Sequence, residues 1–329
     1  MPGLEFFAEA DPGAARCGEL AALQPANPFA TFAYLQAERS FGGRAWLFGC
    51  SRDGMPIYGC LGFLRSGRLE RRLEIASLPA AEEPFWRGLR EFSHTHRVTI
   101  LELNSFASPA VSIPAMTGER TRIQRHEFQA PLDTSDTGLL ERLQMNHRQR
   151  VRKGMKAGLE VRTASDAECL ADHVRIMAMS MQRRLARGES VPSGSTAESL
   201  APYLLSGFCR LFQAVLGCET VSSMMVAQAA SGAYLYTSGT SPAGMNIGAS
   251  HFLVYEILKA SRQSGAGVFN LGGVGDLSSG LAQYKRYFGA APVALEAAEF
   301  DLGSALHKVV RASAGLARGL LGRRSRNGT

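Results

Sequence analysis

"ASHFLVYEILKASRQSGAGVFNLGGVGDLSSGLAQYKRYFGAAPV", residues 249–293, changes its hydrophobic period three times within one run. Residues 249–265 have the spacing of a long amphipathic helix, and 267–273, "GVFNLGG", read as a strand closing on two glycines. Residues 278–289 read as a short helix, and "PVALEAAEFDL" from 292 as another strand. Three strand candidates precede the run: "CRLFQAVL" (209–216), "TVSSMMVAQA" (220–229) and "GAYLYTSGT" (232–240). An antiparallel meander that leads into helix, strand, helix and strand predicts an α+β domain with its helices packed on a sheet. In the short helix Tyr284 and Phe288 share a face and anchor it, while Lys285 sits near its C-terminal end, where the helix dipole favours a cation.

Upstream, a helix is predicted from Asp136 or Thr137, either serving as N-cap, to a stop at Gly158. Leu140, Leu143, His147, Val151 and Met155 form one stripe, and Arg148, Arg152 and Lys156 a separate basic row. Gly154 lies inside this helix at a cost of about 1 kcal/mol relative to alanine, which suits tight packing against another element. His147 reads as a core or interface histidine. Further helices are expected over 166–187 and 197–207.

The first half is a mixed α+β region. "RAWLFGCSRDGMPIYGCLGFL" (44–64) places Asp53-Gly54 between two apolar runs, a type I′ hairpin signal. "EPFWRGLREFSHTH" (83–96) has Phe85, Leu89 and Phe92 on one helical face, and "RVTILELNSF" (97–106) is strand-like. No fixed-period repeat is visible. The expected division is 1–135, 136–303 and a basic amphipathic tail over 304–329.

The 329 residues are 45% hydrophobic and carry a net charge of +7. No stretch reaches the roughly 18–20 apolar residues of a membrane span, and the N-terminus has no basic-then-apolar leader, so a cytoplasmic location is expected. The six cysteines show no CxxC pair, which points to free thiols instead of a disulfide framework or zinc site, and no metal is expected. The charge is local: "RLQMNHRQRVRKGMK" (142–156) and "RGLLGRRSRNGT" (318–329) hold ten Lys or Arg and no acid. "GTSPAG" (239–244) departs from the nucleophile elbow because its second glycine comes one residue late. His94 and His96 lack a third ligand at a recognisable spacing. Gly272, Gly273 and Gly275 lie between strand and helix, where free N–H groups can approach an anion or an acyl oxygen, or simply form a tight turn.

Three segments taken in order resemble the Fem-type, or FemAB-like, aminoacyl and acyl transferases of the GNAT superfamily. "FQAPLDTSDTGLLERLQMNHRQRVRKGMKAGLEVR" (128–162) is similar to the family's strand, helix and basic run. "GASHFLVYEILKASRQSGAGVFNLGGV" (248–274) is similar to its long helix and Gly-Gly strand, and "SGLAQYKRYFGAAPV" (279–293) to its "[FY]K..FG" signature. The resemblance covers about residues 125–295. It implies two GNAT-like domains facing each other across a cleft. It also implies that Lys285, with Tyr284 beside it, meets the acyl donor and the charge developing on the reacting group, and that Arg148, Arg152, Lys153 and Lys156 lie near a phosphate-rich substrate or the domain junction.

The expected reaction is N-acyl transfer: an amine attacks an ester or thioester carbonyl, and the growing oxyanion is stabilised by Lys285 or by N–H groups of the glycine loop. A proton leaves through His251, Asp276 or the substrate. Tyr236, Asn270, Gly272, Gly273, Tyr284 and Phe288 complete the expected donor- or substrate-binding set. Aminoacyl-tRNA or acyl-CoA is the donor, an amine-bearing small molecule or peptide the acceptor, and no tightly bound cofactor is required. "SGTSPAGMNIGAS" (238–250) lacks the basic residue that opens the CoA-binding turn of typical GNAT enzymes, and no coiled-coil arm is present. A CoA-dependent N-acetyltransferase and a non-catalytic RNA- or membrane-surface-binding protein remain as alternatives, the latter through the basic blocks or a tail helix lying on an anionic inner-membrane surface.

Overall fold

The computed structural model describes residues 3–304 except 69, 110, 165 and 190–193; the expected tail helix lies outside the described residues. The first half runs β1 (Glu5–Ala10), α1 (Ala14–Leu23), α2 (Phe32–Arg39), β2 (Arg44–Arg52), β3 (Met55–Ser66), β4 (Arg71–Ile75), α3 (Glu83–Thr95), β5 (Ile100–Leu103) and β6 (Glu119–Pro131). The second runs α4 (Asp136–Arg142), α5 (Met145–Lys156), β7 (Glu160–Ala164), α6 (Ala167–Ala186), α7 (Ala197–Leu205), β8 (Cys209–Leu216), β9 (Glu219–Gln228) and β10 (Gly232–Thr240). It continues with α8 (Pro242–Ile247), α9 (Ala249–Gln263), β11 (Val268–Val274), α10 (Gly280–Arg286) and β12 (Ala291–Asp301). The α+β expectation holds, and so does the β2–β3 hairpin, where Asp53 and Gly54 adopt φ of 52° and 77°.

Among the described residues the twelve strands form one sheet in the order β1-β2-β3-β4-β5-β12-β6-β11-β10-β9-β8-β7. Only β4–β5 and β10–β11 are parallel, each pair joined by helical crossovers, α3 in one half and α8–α9 in the other. The order reads the same from both edges, so the halves do share an architecture. The strands that follow β5 and β11 in the chain are exchanged: β12 pairs with β5, and β6 pairs with β11, while β6 and β12 pair with each other at the centre. Neither half completes its sheet without the other. Burial reinforces the connection, because Phe29, Tyr34 and Leu35 share a core with Phe208, Leu211 and Tyr234.

The single helix expected over 136–157 is two. The chain extends at Leu143 and Gln144, with ψ of 141° and 151°, and this frees the Gln144 N–H to donate to Tyr287 O at 2.9 Å. Ser135, not Asp136 or Thr137, is the N-cap, its Oγ accepting from Gly138 N, and Asp136 instead pairs with Arg262. The buried positions are Leu139, Leu143, His147, Val151 and Gly154, whereas Met155 is exposed. Tight packing at Gly154 is observed: an added Cβ would stand 2.8 Å from Phe252 Cβ on α9. Gly158, with φ of 76°, follows the C-cap as expected.

Candidate functional site

β10 and β11 run side by side only from Gly232–Tyr234 against Val268–Asn270. Beyond that point β10 bulges between Leu235 and Thr237 and remains paired to β9, while β11 shifts register against β6 between Asn270 and Gly273. Two parallel strands thus splay, and the β11-facing edge of β10 past Tyr234 makes no strand pairing. Unpaired backbone groups at the centre of a sheet call for a polar partner.

Lys285 enters the splay from α10. Its Nζ donates to the carbonyls of Gly272 (2.8 Å) and Gly273 (2.9 Å), and the residue is only 6% exposed. Burial pulls its pKa down to about 8, with Glu127 opposing the shift and Arg125 assisting it. Gly272 has a φ of 77°, which excludes most side chains, and an added Cβ would meet both Lys285 Nζ (3.8 Å) and the Tyr234 hydroxyl (4.0 Å). Lys285 therefore holds the Gly-Gly turn with two of its N–H groups and has one left.

From β6, Glu127 reaches the same place and is fully buried. Its Oε1 accepts from the Tyr234 hydroxyl at 2.9 Å and from Arg125; its Oε2 accepts from Ala107 N at 2.9 Å and Asn270 Nδ2 at 2.7 Å. Four donors fill the roughly four lone-pair positions of a carboxylate. Asn270 Oδ1 in turn accepts from Gly272 N at 2.8 Å, so Asn270 fixes the turn from one side as Lys285 does from the other. The Arg125 guanidinium lies 3.9 Å from the Phe106 ring centroid, a cation–π contact with the first half. The structure brings together Asn270, Gly272, Gly273 and Lys285, which the sequence pattern picks out, with Glu127, Arg125 and Tyr234, which it does not.

Behind this group α5, α9 and α10 converge. His147 Nε2 donates to Tyr284 O at 3.0 Å, and its ring packs on His251 (4.4 Å), Phe288 (4.6 Å) and Tyr284 (5.1 Å). Tyr284 and Phe288 thus seat α10 by aromatic packing. Burial lowers the pKa of His147 to about 4 and that of His251 to about 3, His147 and Arg150 adding to the shift at His251. A histidine this weakly basic is a poor proton acceptor near neutrality, which argues against a proton leaving through His251. The Asp276 carboxylate accepts from Ser278 N and Oγ at 2.7 Å and shapes the turn into α10. Tyr236 packs on Tyr203 (5.0 Å) and Phe208 (5.7 Å), in the core shared by the halves. Arg148, Arg152, Lys153 and Lys156 line α5 with Arg150; among the described residues none of the five forms a salt bridge, and all but Arg148 are exposed.

The turn after β10 is closed. Ser241 Oγ accepts from Gly244 N at 3.1 Å, capping α8, and Gly248 then adopts φ of 79° against the Arg150 backbone before α9 begins. Among the described residues there is no cluster of metal-binding side chains, and no helix is long and apolar enough to cross a membrane.

Comparison with known proteins gives this geometry its class. The acetyltransferase (GNAT) domain model matches residues 142–286, which include α5, the splayed strands and Lys285. The crystal structure of FemX is 14% identical, covers 89% of this chain and 98% of its own, and superposes with a TM-score of 0.67. L-PGS from Bacillus licheniformis follows at 13% identity, 92% and 96% coverage and 0.53. A tandem GNAT protein from the clavulanic acid biosynthesis pathway gives 12%, 91% and 98%, and 0.51. No curated protein sequence matches the chain. The fold is a tandem pair of GNAT-like domains, residues 142–286 match a GNAT acetyltransferase domain, and the likeness in fold to FemX extends over 89% of the chain.

Proposed function

We propose that the chain transfers an acyl or aminoacyl group from an activated ester or thioester to an amine, with the donor carbonyl lying in the splay between β10 and β11. The observation that carries this reading is the Lys285 ammonium group, buried where β10 and β11 diverge with one N–H left beyond the two that hold the Gly-Gly turn. As the amine adds to the carbonyl, negative charge grows on oxygen; a preorganised cation in a site of low dielectric stabilises it where water would have to reorganise. The donor's phosphates then lie along α5, whose cations have no acidic partner. Charged tRNA is the donor this basic face favours, and the donor-binding half is residues 136–286 completed by the exchanged strand β6 in place of β12.

A second reading, acyl-CoA as donor, is favoured by the description of the matched family model. The turn at Ser241–Gly248 counts against it, because Pro242 supplies no N–H and the Gly244 N–H is already taken by the Ser241 side chain. Thermal melts of the full chain with coenzyme A or with charged tRNA separate the two, since a ligand at 100 times its Kd stabilises by about 2.7 kcal/mol. Mass spectrometry of an amine panel incubated with each donor detects the product. Lys285→Ala is expected to fold and to lose transfer about a hundredfold or more. Activity within threefold of the parent would remove Lys285 from the chemistry.

A further inference from the structure

α10, which carries Lys285, is seven residues long, and a helix of two turns is not held in place by its own hydrogen bonds. Its last carbonyls are orphans unless groups beyond the helix satisfy them. Three are closed locally: Gln283 O accepts from Tyr287 N at 3.0 Å, Lys285 O from Phe288 N at 3.1 Å and Arg286 O from Gly289 N at 2.8 Å. The other two, Tyr284 O and Tyr287 O, are closed by the start of α5, through His147 Nε2 at 3.0 Å and Gln144 N at 2.9 Å. These two bonds bracket the Lys285–Arg286 pair.

α5 is itself fixed. An added Cβ on Gly154 would stand 2.8 Å from Phe252 Cβ, and one on Gly248 would stand 2.5 Å from Arg150 O, so α5 is pressed against α9 and the turn before it. His147, Val151 and Gly154 form its buried side. Arg148 and Arg152 follow His147 and Val151 by one residue, about 100° round the helix. One rigid helix therefore carries the unpaired cations on one side and, on another, the side chain that caps the helix of Lys285. Packing alone does not explain a histidine there, because phenylalanine fills a similar space without a polar atom to satisfy. Burial keeps the ring neutral near pH 7, so it has a single N–H, and the Tyr284 carbonyl takes it.

Resting on the acyl-transfer reading, we propose that His147 and the Gln144 N–H are positioning groups, which fix α10 on α5 and so fix Lys285 relative to the cations that receive the donor's phosphates. Neither touches the reacting atoms. His147 acts through the carbonyl of Tyr284, the residue before Lys285, so a donor seated on α5 meets the ammonium group in a set orientation. Loss of either bond lets α10 shift while α5 stays on α9; donor binding survives and the transfer step suffers.

Three variants of the full chain test this. His147→Phe keeps a ring and removes the N–H, and His147→Gln restores an N–H at a similar reach. Gln144→Pro deletes the other bond, and the backbone already suits proline: φ is −59° at Gln144, and Leu143 before it has φ of −64° and ψ of 141°. With charged tRNA as donor, His147→Phe and Gln144→Pro are each expected to lower kcat tenfold or more, with the donor KM within twofold of the parent. His147→Gln is expected to recover kcat to within threefold. An NMR titration of isotope-labelled lysine reads Lys285 without any donor. Burial holds its pKa at about 8, and a loosened α10 admits water to the ammonium group, so both bond-deleting variants should raise that value toward 10.5 by about one unit or more. A role confined to packing would lower the melting temperature and leave both readouts alone. Parental kcat or an unmoved Lys285 pKa in either variant would overturn the proposal, as would a raised donor KM at unchanged kcat, or failure of His147→Gln to recover what His147→Phe loses. The expected pKa shifts in a chain that transfers nothing from any donor would instead sink the acyl-transfer reading and leave the positioning of Lys285 by α5 standing.

Discussion

Two buried polar clusters lie on neighbouring strands of this sheet. Around Glu127, charged groups from β6 and α10 meet Asn270 of β11 at the splay, and Lys285 has one N–H beyond the two that hold the Gly-Gly turn. Beneath α6, His173 is wholly buried with Nδ1 2.8 Å from Ser223 Oγ and Nε2 2.9 Å from Thr237 Oγ1, and Gln213 donates to Cys169 O and to Ser223. Every ring nitrogen there has a partner, and the one charge that touches the cluster, the Arg162 guanidinium, donates to Gln213 Oε1 from its edge. The second cluster resolves a local problem, fixing the bulge of β10 at Thr237; the first leaves a Lys285 N–H unused and two cations against one carboxylate where β10 and β11 diverge. A buried polar group marks architecture when its partners are complete, and a site when they are not.

The sharpest way to break the contrast is to remove Glu127. Glu127→Ala strands the Arg125 guanidinium and three further donors in the interior, and loss of one partner of a buried ion pair costs about 3–5 kcal/mol. We expect a fall of that size in chemical denaturation, together with loss of transfer. A loss below about 1 kcal/mol would mean that the cluster is solvated and the comparison mistaken.

Acid attacks the other cluster. Burial holds the His173 pKa near 4, against 6.5 in the unfolded chain. Between those values the unfolded state binds the extra proton, so the contribution of His173 is complete above about pH 6.5 and is lost as pH falls toward 4, by about 3 kcal/mol. His147 and His251 shift in the same direction and steepen the decline. In His173→Phe, stability is expected to start lower, because Ser223 and Thr237 lose a partner, and to fall less steeply from pH 6.5 to 4. Parallel pH profiles for the two proteins would show that His173 is not buried neutral.

Much of this was legible in the chain order. The helix–strand–helix–strand run over 249–302, the Asp53-Gly54 hairpin and the Asp166-capped α6 depend on local spacing and turn chemistry, and each stands where it was expected. The group around Asn270, Gly272 and Lys285 was readable because it spans only sixteen residues. Glu127 was not, because its importance arises from the strand exchange: β6 follows the first half in sequence but completes the second half's sheet. The alternation of Arg125 and Glu127 with His126 and Phe128 shows a polar strand face, and only the pairing shows that this face is central and cannot be solvated. The break at Leu143–Gln144 was hidden for a similar reason, since a stripe of leucines fits one helix or two until Tyr287 offers Gln144 a distant acceptor.

Removing one hydroxyl from each cluster gives the finest comparison. Tyr234→Phe deletes a donor to a carboxylate, and hydrogen bonds to charged groups contribute about 1.5–3 kcal/mol. Ser223→Ala deletes a neutral partner of His173, where about 0.5–1.5 kcal/mol is typical. Both sites are buried, and neither change alters charge, so the difference between the two melting shifts isolates the charge on Glu127. Transfer activity should separate them further. Tyr234 lies within reach of Gly272 and Lys285, so Tyr234→Phe loosens the turn that presents the cation to the carbonyl and lowers kcat. Ser223 touches only the closed cluster and should leave kcat unchanged at temperatures below the melt. Equal effects on kcat would mean that the two clusters are one network joined through β10, with His173 and Thr237 positioning the splay as directly as Glu127 does.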